Sequence, residues 1–225
     1  MIIKLKSVLV IFLLLLPQLS WANKLQLEIV DKRGDRLANA AVIVDDRYLA
    51  NSVDKTPQVV TIDQVDRQFV PFLTTLRVGS EAVFPNSDNI RHHVYSFSEP
   101  KPFELKLYSD KERPSVFFNK PGVVTLGCNI HDQMIAHLLV TDGQTATASN
   151  DQGQLLLELS DSVPPQFSIT VWHPLQGENL SVAKQVEIDL SQQQTVKVAL
   201  DVMPEKADDE PKSRLEQRFN RTGNL

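Results

Sequence analysis

The stretch Gly127-Cys128-Asn129-Ile130-His131-Asp132-Gln133-Met134 carries the chain's one cysteine, a histidine three residues later and a methionine three beyond that. Apolar runs at 123–126 and 135–140 flank it, so the Cys-x2-His-x2-Met segment reads as the connection between two strands. A thiolate, an imidazole and a thioether delivered by one short connection form a coherent soft donor set. Joined by a second histidine from a neighbouring strand, they make the His2Cys trigonal site with a long axial Met that suits electron-transfer copper.

That second histidine is available upstream, in Phe84-Pro85-Asn86-Ser87-Asp88-Asn89-Ile90-Arg91-His92-His93-Val94-Tyr95-Ser96. Alternation along a strand sends His92 and His93 to opposite faces, so only one of them readily faces a metal. Most of the remaining chain also reads as strand. Residues 25–29 alternate with period two, and turn formers such as Pro85-Asn86, Pro121-Gly122, Asp142-Gly143 and Pro164-Pro165 separate further short apolar runs. Short strands at regular spacing, with no long helix and no repeat of solenoid length, argue for an all-β sandwich architecture.

The two histidine-bearing segments together resemble the cupredoxin, or type 1 blue copper, family. Its first ligand sits in an Asn-x-Asp-x-x-x-His-x-Val pattern, matched by Asn86, Asp88, His92 and Val94, while Cys128, His131 and Met134 are similar to the short ligand loop of amicyanin. The wider run, with Asp63-Gln64, Phe69-x-Pro71, Arg91-His92-His93-Val94-Tyr95-Ser96-Phe97-Ser98 and Gly127-Cys128-Asn129-Ile130-His131-Asp132, resembles exported bacterial proteins labelled as methylamine-utilisation proteins. The resemblance implies a cupredoxin Greek-key β-sandwich over 63–141 holding one type 1 copper ion. His92, Cys128 and His131 would lie in plane and Met134 would be axial. His93, Asn86 and Asn129 would brace those ligands, His93 by hydrogen bonds from its strand to the ligand segment. A register one residue off makes His93 the ligand instead. The same resemblance makes the ring edge of His131 the electron port.

The flanks read as two β segments, 23–62 and 142–200. Val30-Asp31-x-x-Gly34 followed by Leu37-Ala38-Asn39-Ala40-Ala41-Val42 resembles the opening half of a carboxypeptidase-regulatory or transthyretin-like sandwich, and Asn150-Asp151-Gln152-Gly153 before Leu155-Leu156-Leu157 resembles its closing half. On that reading the cupredoxin is inserted into a second small sandwich. The polar stretch 49–61 reads as a linker. Residues 201–225, with six acidic and five basic side chains, read as a disordered charged tail.

Lys4 and Lys6, an apolar run over 8–16 and Ser20-Trp21-Ala22 read as a cleaved export signal spanning 1–22. That run is well short of the ~20 apolar residues that cross a bilayer, and no later segment is long enough either. Removing the signal leaves 21 basic against 28 acidic residues, a net charge of -7, which disfavours nucleic acid as a partner. A lone cysteine in an exported chain excludes an intramolecular disulfide. Structural zinc does not use a thioether, a Cys-His nucleophile leaves Met134 and the upstream histidine without a role, and no Cys-x-x-Cys-His haem motif occurs. His137 and His173 read as surface or turn histidines. A saturated His2CysMet site keeps no position open for substrate, so the expected protein is not an enzyme. It is a periplasmic, monomeric one-electron carrier that meets a redox protein partner, with copper holding and delivery as the alternative.

Overall fold

A computed structural model describes residues 24–109, 112–192 and 194–204; the expected signal and residues 205–225 of the expected tail lie outside them. The described residues open with β1 (Lys24–Val30) and β2 (Ala41–Asp45). There follow β3 (Val59–Thr61), β4 (Asp63–Val65), β5 (Gln68–Val70), β6 (Leu73–Arg77), β7 (Ser80–Val83), β8 (His92–Ser96), β9 (Phe103–Tyr108), β10 (Ser115–Phe118), β11 (Gly122–Cys128) and β12 (His131–Thr141). The chain then returns through β13 (Gln144–Ala148), β14 (Gln154–Glu158), β15 (Gln166–Trp172), β16 (Lys184–Asp189) and β17 (Thr195–Ala199). Helical structure among the described residues is confined to three single 3-10 turns, and no helix there is long and apolar enough to cross a membrane. The protein is all-β.

The strands between residues 59 and 141 form a five-stranded sheet, β6-β12-β11-β8-β9, a three-stranded sheet, β10-β7-β3, and the β4–β5 hairpin. Inward-facing Phe84, Val94, Phe118, Val124, Leu126, Met134 and Leu138 fill the space between them. Burying each large apolar side chain contributes about 1.5–3 kcal/mol before entropy is counted, which makes this layer the main support of the strands that carry the site.

The flanking strands pair with one another. β1 lies between β14, antiparallel, and β17, parallel, while β2 lies between β13 and β15 in a second sheet of order β13-β2-β15-β16. Leu25, Leu27 and Ile29 from β1 meet Val42, Leu155, Ile169 and Val198 in a core of their own. Asp31 is buried and accepts from the backbone N–H groups of Arg33 and Asp35 and from the Arg33 guanidinium, which closes the turn after β1. Gly153 (φ +68) packs against that region so closely that a Cβ would stand 2.5 Å from the Ile29 carbonyl oxygen.

Asp45 at the end of β2 pairs with Gln144 at the start of β13, so the chain leaves and re-enters this second pair of sheets at one place. The outward faces of β6, β11 and β12 contribute Leu73, Val123 and Leu139 to a shared cluster with Ala41, Ile43 and Trp172. Arg77 pins the junction by reaching both Asp46 and the Thr145 hydroxyl.

Two readings of the sequence change here. The stretch 49–61 is structured: Leu49 is buried and bridges to Leu159, and Val59–Thr61 is a strand parallel to β7. Packed chain also extends past Leu200, because Val202 is buried and its carbonyl accepts from the Lys32 N–H.

Candidate metal centre

β8 presents His92, Val94 and Ser96 to the interior and His93 and Tyr95 to the other face. His92 is 0% exposed. The loop before it is held by buried Asn86, whose Nδ2 donates to the carbonyls of Ile90 (2.9 Å) and Tyr108 (3.2 Å) while its Oδ1 accepts from the Asp88 N–H (3.0 Å). The β4–β5 hairpin clamps the same loop, with Asp63 accepting from Ser87 and Gln64 donating to the Pro85 carbonyl. This is the structural use of the Asp63-Gln64 pair.

Cys128 is the last residue of β11 and His131 the first of β12, paired across a turn at Asn129-Ile130. The expected loop is therefore shorter than its sequence suggests. Register jumps from Gly127↔Ile135 to Cys128↔His131, which leaves Asp132, Gln133 and Met134 as extra residues on one strand. Such an irregularity re-aims side chains. Asp132 and Gln133 go to solvent, and Met134 (1% exposed) turns into the hydrophobic cluster that also holds Cys128. The Tyr95 ring packs over the bare backbone of Gly127, where a Cβ would sit 2.8 Å from it.

His92, Cys128 and His131 come together with their ligand atoms all within 4.8 Å of one another. The Cys128 Sγ is 3.8 Å from His92 Nδ1 and 3.8 Å from His131 Nδ1. Bonds of about 2.0 Å to nitrogen and 2.3 Å to sulfur at trigonal angles separate N from S by about 3.7 Å, so one metal ion fits between these donors. His92 and Cys128 are buried, whereas His131 is partly exposed and lines an open cleft with Arg67, Phe72, Ile135, His137 and Leu175.

The other predicted groups lie elsewhere. The His93 side chain points to the other face of β8, where its Nε2 meets Glu104 on β9 at 2.9 Å. Asn129 is exposed in the turn. His173 is a turn histidine as expected, though a buried one, and His137 is half-buried at the cleft wall rather than exposed. His137 is edge-on to Phe72 and Trp172 with Nδ1 3.2 Å from the Thr125 hydroxyl, and buried His173 caps a 3-10 turn and contacts the Ala38 carbonyl. Burial pushes both down to about 4, helped for His137 by the nearby His173 and opposed for His173 by the Ala38 carbonyl.

One group went unassigned as a brace in the sequence. Asp88 Oδ2 lies 2.7 Å from His92 Nε2, and the signal was an acid four residues before the histidine.

Neither a protein-family model nor a curated protein matches the chain. Solved structures do. The structures it resembles are cupredoxins. A purple cupredoxin from Nitrosopumilus maritimus is 18% identical with TM-score 0.33, covering 36% of this chain and 99% of that one. A reduced Cu(I) amicyanin variant is 15% identical with TM-score 0.35, covering 46% and 99%. The Cu-containing nitrite reductase from Thermus scotoductus SA-01 is 24% identical with TM-score 0.36, covering 51% of this chain and 28% of the reductase. What the centre can do chemically follows from its own side chains.

Proposed function

We propose that this chain is an exported type 1 copper protein that carries single electrons between periplasmic redox partners. The observation that supports this most directly is the single thiol held 3.8 Å from the Nδ1 atoms of two histidines, with a buried methionine in the same cluster. His92, Cys128 and His131 would hold the ion and Met134 would supply the weak fourth contact. Bound copper would supply Cu(I)/Cu(II) exchange, one electron at a time.

The chain's own contribution is insulation and access. His92 and Cys128 are shut away from water, which favours a fixed coordination in both states, while His131 reaches the surface beside exposed Ile130 (48%) and Ile135 (43%). A partner docking there would meet the imidazole edge through a largely apolar rim. Four protein donors leave no place for substrate, so the proposed role is carrier rather than enzyme.

The test is a visible spectrum of the protein titrated with Cu(II), then reduced with ascorbate. An intense thiolate-to-copper band that bleaches and returns on reoxidation is the expected result. No such band, with the Cys128 thiol still titratable, would overturn the reading. Loss of the metal to an acceptor on reduction would favour copper delivery.

A further inference from the structure

Asp88 sits at a three-way junction. Its Oδ1 accepts from the Asp66 N–H at 2.7 Å, and its Oδ2 accepts from the Arg67 N–H at 2.9 Å and meets His92 Nε2 at 2.7 Å. Asp66 (φ 51) and Arg67 (φ 61) form the two-residue turn of the β4–β5 hairpin, both in the left-handed region and neither a glycine. That backbone is unusual for side chains of this kind, and accepting both N–H groups on one carboxylate offsets its cost.

We infer that Asp88 is the positioning residue for the metal ligand His92, holding it in the Nε2–H tautomer so that Nδ1 faces Cys128. The inference rests on the copper reading above for its metal and on the carboxylate for its chemistry. An ionised carboxylate can only accept, so the proton in this contact sits on Nε2 and the Nδ1 lone pair is left for the ion. Two backbone N–H groups already donate to this carboxyl, one to each oxygen, an arrangement that suits the acceptor-only carboxylate form. A carboxylate behind a ligating imidazole fixes the ring and increases its basicity, which favours the more oxidised metal. The hairpin turn that holds Asp88 also forms a wall of the cleft beside His131, because Asp66 and Arg67 line it. Ligand orientation and the shape of the access cleft therefore share one side chain.

His93 is the internal comparison. It too meets a carboxylate, Glu104, but Glu104 is 59% exposed and lies on the other face of the sheet.

Long-range 15N–1H NMR on the metal-free full chain is expected to show His92 with its proton on Nε2. A His92 carrying its proton on Nδ1 would overturn the inference without any need for copper or a variant. In the copper-loaded protein, Asp88→Asn is expected to weaken Cu(II) affinity about tenfold to a hundredfold and move the potential in the positive direction, whereas Glu104→Gln leaves both unchanged. Equal effects from the two variants, or none from Asp88→Asn, would also overturn it. If the wild type takes up no copper, the functional proposal fails by itself, and the tautomer measurement still decides whether Asp88 sets His92.

Discussion

Cys128 and His131 face each other as the closing pair of the β11–β12 hairpin, Sγ 3.8 Å from Nδ1, so the shortest route between two donors runs across a turn of two residues. His92 reaches the same sulfur from the adjacent strand β8, whose Val94 pairs with Cys128. Three strands thus meet at one atom.

His92→Ala is expected to abolish the blue band, and His93→Ala to leave it nearly unchanged. Their strand positions are adjacent but their faces are opposite, with His92 fully buried and His93 paired to Glu104. Copper titration of the two variants by visible absorption checks this. Loss of the band in His93→Ala alone would reverse the assignment.

Met134→Leu should leave the fold nearly intact while changing the centre. The swap conserves volume at a buried position, which typically costs less than about 1.5 kcal/mol. It removes the thioether, so the potential and spectrum should shift while urea unfolding moves little. Unchanged electronic properties would exclude Met134 from the ligand set.

Arg77→Ala is expected to loosen the junction between the two pairs of sheets. Arg77 and Asp46 are both largely shielded, with side chains 14% and 23% exposed, and the guanidinium also donates to Thr145 at 2.6 Å. Stranding the Asp46 carboxylate should cost about 1–3 kcal/mol, read as a lower urea midpoint. Arg47→Ala serves as the control, since Arg47 is 72% exposed beside Asp45 and a surface pair contributes little.

Acid should weaken the same junction before carboxylates titrate. His137 and His173 are pushed down to about 4 in the folded protein from an ordinary 6.5, so between those values the unfolded chain binds more protons than the folded one. Their neutral forms impose no penalty above pH 6.5, and stability falls as the pH drops from about 6.5 to about 4. Urea midpoints measured across that window should decline, with a shallower decline in His137→Gln. A midpoint insensitive to pH there would mean that these rings are freely hydrated.

The donor pattern was legible because cysteine and methionine are scarce in this chain and their spacing is short. Alternation likewise exposed β1, where Leu25, Leu27 and Ile29 turn inward. Its reading stopped where a second layer intervenes: His137 lies on the outward side of β12, and Trp172 from that layer half-covers it together with Phe72. β3 escaped notice because it has three residues, with Val59 70% exposed, and exists through parallel pairing to β7. The role of Asp88 depends on a hairpin tip more than twenty residues upstream in the chain meeting it in space, and no local pattern encodes that meeting.

The pairing of Gln26 with Thr195 has a kinetic consequence. Among the described strands β1 comes first, yet both of its neighbours, β14 and β17, come more than 120 residues later, so its edges stay open while the intervening strands are made. Contacts this distant in sequence form slowly, and an apolar edge left open meanwhile is exposed to aggregation. The strands between β2 and β13, by contrast, find all their partners among themselves. The order expected during synthesis is therefore inside out: the layers around Cys128 close first, and the outer sheets zip shut around their ends as β14 and then β17 are delivered.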